Sequence, residues 1–181
     1  MAEDTDNDRR RMLTTVTTGV GLVGAGALAV PFVASMMPSA RAKAAGAPVE
    51  VDISKLPEGQ MLTVEWRGKP VWIIRRTAQM LEDLAGIRAK LSDPDSEVKT
   101  QQPVYARNKY RSIKPDILVV LGVCTHLGCV PLSYKGDYQG WFCPCHGSHY
   151  DTSGRIRKGP APANLAVPDY VFLDETTVRI G

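Results

Sequence analysis

Cysteine and histidine are scarce in this chain, since its 181 residues include four cysteines and three histidines. None of these residues lies outside residues 124–149, so the remainder of the chain lacks the thiol and imidazole groups that bind transition metals. Packing alone seldom requires so dense a cluster. We therefore interpret the cluster first as a metal site.

The chain also has little excess of positive over negative charge. The formal net charge is +3 and the pI is about 8.7, and the body of the chain contains no basic stripe with interleaved aromatic residues. Nucleic-acid binding requires such a stripe, because the phosphate backbone is neutralised by clustered lysine and arginine. We therefore exclude nucleic acid as a partner.

Residues 12–37, MLTTVTTGVGLVGAGALAVPFVASMM, carry no charged side chain. As a helix these 26 residues would be about 39 Å long, which is enough to cross a bilayer. The run also lacks the polar face that a helix packed on a soluble core would show. We predict a single transmembrane helix in contact with membrane lipid.

Three arginines, Arg9 to Arg11, precede this run, and the positive-inside bias predicts that residues 1–11 are cytoplasmic. Arg41 and Lys43 follow the run and weaken that bias. The Arg-Arg pair before Met-Leu also resembles a twin-arginine export signal. Small residues at 39–44 would suit a signal peptidase, so a cleaved signal is the alternative to the predicted uncleaved anchor.

Residues 38–48 contain no large apolar side chain to bury, and we expect a flexible tether there. Beyond it, residues 49–181 are rich in short valine, isoleucine and aromatic runs. These predict strands at residues 49–53, 61–66, 71–76, 117–123, 170–174 and 177–181. Gly68, Lys69 and Pro70 separate the second and third runs as a hairpin loop would.

One helical insertion is predicted among these strands. Thr77 can cap a helix over residues 78–91, where Met80, Leu81, Leu84, Ile87 and Leu91 recur at helical spacing. The fold class is therefore mainly β, with antiparallel strands forming a sandwich, one helical insertion and a preceding transmembrane helix.

The cysteines and histidines form two similar halves, CTHLGC at residues 124–129 and CPCHGSHY at residues 143–150. Each half can present one thiolate and one imidazole from a tight turn, Cys124 with His126 and Cys143 with His146. Cys129 and Cys145 are then free to join the two turns covalently. A crosslink is chemically sensible if the domain lies in an oxidising compartment.

The two halves closely resemble the Rieske iron–sulfur motif, C-x-H-x-x-C with C-x-C-H, in its cytochrome bc form. GPAP at residues 159–162 extends the resemblance, and the anchor, tether and terminal strands agree with it. The resemblance implies a Rieske-type [2Fe–2S] cluster held in a small subdomain at about residues 122–163. Cys124 and Cys143 would bind one iron, and His126 and His146 the other.

The resemblance also assigns roles to the neighbours of these ligands. Ser148 would donate a hydrogen bond to a bridging sulfide and Tyr150 to the sulfur of Cys143, which would raise the reduction potential. Leu127 would shield the cluster. The third histidine, His149, is given no ligand role.

The implied activity is that of a quinol–cytochrome c oxidoreductase subunit. It accepts an electron from quinol, with proton transfer to His146 as the catalytic group, and passes it to a c-type cytochrome. The implied partners are cytochrome b and cytochrome c-type subunits in a dimeric complex of a bacterial inner membrane, with the cluster domain on the periplasmic side. Two alternatives stay open: the small Rieske subunit of another exported enzyme, such as arsenite oxidase, and a binding module with structural zinc.

Overall fold

A computed structural model describes residues 2–85 and 91–181 of the chain. The chain divides into two units, Met1–Ala44 and Ala45–Gly181. The first unit contains helix α1, Ala2–Ser35, which covers most of the uncharged run and the arginines before it. Within the described residues, this helical region is the one stretch long and apolar enough to cross a membrane, judged by length and composition.

A short helix, α2, forms at Ala40–Ala45, within the segment predicted as a tether. Ser39 begins this helix, because its hydroxyl oxygen accepts the Ala42 amide N–H at 3.1 Å and its carbonyl accepts the Lys43 N–H at 2.9 Å. Alanine has the highest helix propensity of all residues. The tether sequence therefore supports a helical conformation, and its flexibility stays a prediction.

The second unit is built from short antiparallel strands, as predicted. The strands are β1 Val49–Asp52, β2 Met61–Trp66, β3 Lys69–Arg75, β4 Ile117–Leu121, β5 Leu132–Ser133, β6 Trp141–Cys143, β7 Ser148–Tyr150, β8 Ile156–Lys158, β9 Tyr170–Phe172 and β10 Thr177–Ile180. In the described part of the chain they form three sheets, with strand orders β1-β10-β9, β2-β3-β4 and β5-β6-β7-β8. The last hairpin, β9–β10, was predicted correctly, whereas no sequence pattern predicted the four short strands β5 to β8.

The β2–β3 hairpin is tighter than predicted. Trp66 pairs with Lys69, so only Arg67 and Gly68 form the loop, and both have positive φ. Lys69 and Pro70 both lie in β3, Pro70 opposite Glu65, which corrects their assignment to the loop. Proline is tolerated because it stands near the start of the strand.

Helix α3, Ala78–Asp83, begins where the sequence predicted. Thr77 caps it, since its hydroxyl oxygen accepts the Met80 amide N–H at 3.3 Å. The helix was predicted to run to Leu91, but it ends at Asp83, and Leu91 is not helical. Residues 86–90, including Ile87, lie outside the described residues. A 3₁₀ turn, Val104–Ala106, lies in the stretch for which the sequence predicted no element.

The three sheets share one hydrophobic core, which includes Val178 and Ile180 of β10 and most of β3 and β4. Trp72 of β3 stacks on Trp141 of β6, with ring centroids 5.4 Å apart and planes 1° from parallel. Gly122 must be small, because a Cβ there would lie 2.5 Å from the Trp72 ring. This packing fixes the small β5–β8 sheet against the end of β4, from which the first cysteine loop leaves.

Candidate metal centre

Three loops build the site. The first loop, residues 122–131, follows β4 and folds back on itself, since the Cys124 N–H donates to the Cys129 carbonyl at 2.8 Å. The Gly128 N–H donates to the Cys124 carbonyl at 3.0 Å, and Gly128 has φ of +82°. This left-handed conformation favours glycine and turns the chain so that Cys129 returns to the backbone of Cys124.

The second loop, residues 144–147, joins β6 to β7. Cys143 pairs with Ser148 in the hairpin, and the Gly147 N–H donates to the Cys143 carbonyl at 2.9 Å. Gly147 also has positive φ, at +78°. The short hairpin places Cys143 at the end of a strand and His146 at the exposed tip.

The third loop, residues 159–162, follows β8 and touches the second. A Cβ on Gly159 would lie 2.5 Å from the Gly147 carbonyl oxygen, so only glycine permits this approach. The Ala161 N–H donates to the Ser148 Oγ at 3.2 Å. The GPAP segment is therefore fastened to the second loop by its backbone.

The Tyr150 hydroxyl lies 3.2 Å from the sulfur of Cys124, in a fully buried position. This corrects the expectation that Tyr150 contacts Cys143. Tyr150 pairs with Trp141 on β6, two residues before Cys143, and its long side chain reaches across to the first loop. Tyr150 therefore connects β7 to the first loop through a contact between residues that are 26 positions apart, which the spacing of residues along one strand cannot predict.

Sequence reasoning missed Thr125, which holds this tyrosine. The Thr125 N–H donates to the Tyr150 hydroxyl oxygen at 3.3 Å, so the oxygen accepts from the first loop while its own proton is available to Cys124. The Thr125 hydroxyl donates to the Ala163 carbonyl at 2.6 Å and ties the first loop to the chain beyond the third. The only sequence signal for a role of Thr125 is its position between the two predicted ligands Cys124 and His126.

The two imidazoles meet at the same place. The rings of His126 and His146 are 4.6 Å apart between centroids and lie edge to face. The Nδ1 atom of His126 is buried and has no hydrogen-bond partner among the described residues. A buried imidazole nitrogen without a partner is costly unless it binds something else, and a metal ion satisfies it.

The two predicted thiolate ligands are both buried. Burial is the largest single effect on the Cys124 pKa and raises it, but hydrogen bonds from Tyr150, the His126 backbone, Cys143 and Ser148 together lower that pKa below its ordinary value. Burial and the neighbouring Cys124 raise the pKa of Cys143 to about 12. The side chains of the two cysteines thus lie within contact of each other, and a bound metal would be needed to hold both as thiolates.

Cys129 and Cys145, the pair predicted to form a disulfide, are brought together. The sulfur atoms of Cys129, Cys143 and Cys145 all lie within 4.8 Å of one another. Both members of the pair are free thiols here, one half-buried and one exposed. Their oxidation stays a prediction.

Leu127, predicted as a shield, has a side chain that is 70% exposed. His149 turns away from the two imidazoles and is buried among Phe142, Tyr138 and the residues before β6. Its Nδ1 accepts the Asp137 N–H at 3.2 Å. That hydrogen bond is consistent with the absence of a ligand role for His149.

Fold and site together define an antiparallel β domain in which two loops present two thiols and two imidazoles. Residues 48–170 match the family model described as "Rieske [2Fe-2S] domain", and residues 1–39 match "Ubiquitinol-cytochrome C reductase Fe-S subunit TAT signal". The chain belongs to the Rieske iron–sulfur family, and its cofactor is a Rieske-type [2Fe–2S] cluster.

The similar proteins cover nearly the whole chain. The iron–sulfur subunit of ubiquinol-cytochrome c reductase from Allochromatium vinosum is 53% identical, over 99% of this chain and 91% of the relative. Its counterpart from Blastochloris viridis is 52% identical, over 96% and 92%. A solved structure titled "Hyperthermophilic respiratory Complex III" is 28% identical with a TM-score of 0.51, over 90% of this chain and 98% of the matched one.

The residues of this site fit such a cluster. The orphaned Nδ1 of His126, the adjacent His146 ring and the two buried thiols supply the two nitrogen and two sulfur donors that a Rieske cluster requires. The zinc alternative uses the same four donors but does not explain the neighbouring pair Cys129 and Cys145. The comparisons favour neither zinc nor the arsenite oxidase alternative.

Proposed function

We propose that this chain is the electron-transfer subunit of a quinol–cytochrome c oxidoreductase. It takes an electron from quinol and passes it to a c-type cytochrome, within a complex that includes cytochrome b. The names and coverage of the similar proteins support this assignment. The observation that carries it is the position of His146, an exposed imidazole directly beside the half-buried His126 and the buried thiols.

Cys124, Cys143, His126 and His146 would hold the [2Fe–2S] cluster. When bound, this group supplies one-electron chemistry at a raised potential, because two neutral imidazoles replace two anionic thiolates. The chain itself supplies the rest. Tyr150 and Ser148 donate hydrogen bonds toward sulfur, and the core excludes water from Cys124 and Cys143.

His146 is the group that receives the proton. One of its ring nitrogens would bind iron, and because the ring is exposed the other nitrogen faces the solution. With one nitrogen bound, the other has a free lone pair only when the ring has lost its second N–H proton, and in that form it can accept a hydrogen bond from a hydroxyl group and then its proton. The exposed Leu127, which follows His126 in the chain, offers an apolar contact for the quinol ring or for the cytochrome b surface around the quinol.

The orientation follows from the arginines. We place residues 9–11 in the cytoplasm, α1 across the bacterial inner membrane with lipid around it, and residues 49–181 in the periplasm. The twin-arginine match supports export of a folded, cofactor-loaded domain. We also expect the complex to be dimeric, as the family resemblance implies.

Purification of the tagged full chain from detergent-solubilised membranes tests this proposal. We expect b-type and c-type haem absorbance in the purified material, together with quinol-dependent reduction of cytochrome c. A matched sample carrying His149→Ala should behave in the same way. Recovery of the iron–sulfur signal with a different oxidoreductase and no b-type haem would favour the alternative exported enzyme and contradict the proposal.

A further inference from the structure

Two arginines, Arg76 and Arg111, are buried in the domain core at 2% and 0% exposure. In the described part of the chain neither donates a hydrogen bond to the three ligand loops, and a buried guanidinium is costly unless it is paired or fully hydrogen-bonded. Arg76 follows β3, and Arg111 lies in the stretch before β4. Their positions therefore raise the question of which negative charge they compensate.

Their hydrogen-bond partners are all neutral. Arg76 donates to the Tyr110 carbonyl at 2.9 Å and to the hydroxyls of Ser153 and Ser112, both at 2.8 Å. Arg111 donates to the carbonyls of Ser153 at 3.0 Å and Leu165 at 2.6 Å, among other neutral acceptors. In the part of the chain that the structure describes, neither forms an ion pair with a carboxylate.

The one buried carboxylate near them is already paired. Asp151 accepts the Arg155 Nε at 2.8 Å and also the backbone N–H groups of Ser153 and Arg155. Burial lowers the pKa of Arg76 and of Arg111 to about 10, so both side chains stay charged at neutral pH. Asp151 and two half-buried carboxylates, those of Asp93 and Asp116, act on these two arginines without forming ion pairs with them. Among the described residues three buried guanidiniums therefore face a single buried carboxylate, so the core keeps an excess of positive charge.

Both arginines lie against the chain that supports the metal centre. They converge on Ser153, three residues after Tyr150, and three residues span at most about 11 Å. A Cβ on Gly154 would lie 3.2 Å from the Arg111 Nη1 and 3.5 Å from Val120, which precedes the first loop on β4. Both arginines therefore lie against the segment that follows β7, and Gly154 in that segment lies between Arg111 and β4, which leads to Cys124.

Charge counting identifies the state that these cations favour. Two iron(III) ions, two sulfides, two thiolates and two neutral imidazoles have no net charge, and adding one electron gives a charge of about −1. A fixed buried cation is attracted to that added charge and is weakly screened by salt. The reduced state is therefore the one that Arg76 and Arg111 stabilise.

We propose that the buried positive charges of Arg76 and Arg111 raise the reduction potential of the bound cluster electrostatically, without contact with it. The proposed effect does not depend on quinol or on partner subunits, because it concerns the reduction potential of the cluster in this chain alone. It also explains why two guanidiniums are kept in a core where apolar residues would pack at lower cost.

The test compares charge removal with charge retention. Redox titrations followed by electron paramagnetic resonance would be made on full-length Arg76→Gln, Arg76→Lys, Arg111→Gln and Arg111→Lys. Both glutamine variants should lower the midpoint potential, and the shift should persist at high salt, whereas both lysine variants should stay close to wild type. The exposed Arg179→Gln, which removes an equal charge from β10, is the control and should not shift the potential.

Gln102→Glu keeps the test decisive if a glutamine variant fails to fold. The Gln102 Oε1 accepts from the Arg111 Nη2 at 3.2 Å, so a glutamate there neutralises Arg111 while leaving it in place. This variant should also lower the potential. Equal shifts in the lysine and glutamine variants, or an unchanged potential in Gln102→Glu with intact cluster spectra, would overturn the proposal and leave the arginines a purely structural role.

Discussion

The contact between Tyr150 and Cys124 leads to a quantitative prediction. Tyr150→Phe removes the hydroxyl that lies 3.2 Å from the Cys124 sulfur and leaves the buried ring in place. Burial raises the pKa of Tyr150 well above its ordinary value, as does the neighbouring Cys124 thiolate. The hydroxyl therefore stays protonated throughout the physiological pH range and can donate its hydrogen bond in either redox state.

A hydrogen bond to a charged group contributes about 1.5 to 3 kcal/mol, which corresponds to about 65 to 130 mV for transfer of one electron. Only the part of that energy that changes on reduction affects the potential, so this is an upper range. We expect the midpoint potential of Tyr150→Phe to fall, by up to about 130 mV. Quinol oxidation should slow in the same variant because the driving force falls.

The assay is a redox titration of the purified holoprotein, with Tyr170→Phe as the matched control. Tyr170 is also buried, and its hydroxyl oxygen accepts the Ile113 N–H at 2.9 Å, but it lies on β9 in a different sheet. The control should lose stability without a change in potential. An unchanged potential in Tyr150→Phe, or an equal fall in both variants, would refute the assignment of the Tyr150 hydroxyl to the cluster.

Three further predictions follow from the loops and the tether. Ser148→Ala should lower the midpoint potential, because the hydroxyl that accepts the Ala161 N–H also donates toward the cluster, and the same titration checks it. Cys129 and Cys145 should resist alkylation in the folded oxidised protein and react after reduction, as mass spectrometry would show; four cysteines held by iron would contradict this. A double substitution to proline at Ala42 and Ala44 should break α2 and slow quinol turnover while the cluster spectrum and potential stay normal, whereas normal turnover would make the tether a passive linker.

The elements that the sequence predicted well are those set by local pattern. β2 was predicted at its observed bounds, because its alternation of exposed and half-buried residues is a property of the strand itself. The Thr77 cap was predicted for the same reason. The candidate ligands were also recognisable, since Cys124 with His126, and Cys143 with His146, lie close together in the chain.

The features that escaped prediction depend on distant contacts. The strands of the small sheet are two or three residues long, too short to show a period. The partner of Tyr150 is 26 residues away on another loop, so sequence proximity to Cys143 was misleading. The buried Arg76 and Arg111 look like surface charges in the sequence, because burial of an arginine is set by the hydrogen-bond acceptors that the fold brings to it.

The ligand set is the central claim, and electron–nuclear double resonance on the reduced protein tests it most directly. Protein labelled with ¹⁵N in histidine should show two nitrogen couplings, from His126 and His146. His149→Ala should retain both couplings, since its Nδ1 accepts a backbone N–H instead of binding metal. His126→Ala and His146→Ala should each lose the cluster signal. A single coupling, no coupling, or loss of a coupling in His149→Ala would contradict the account.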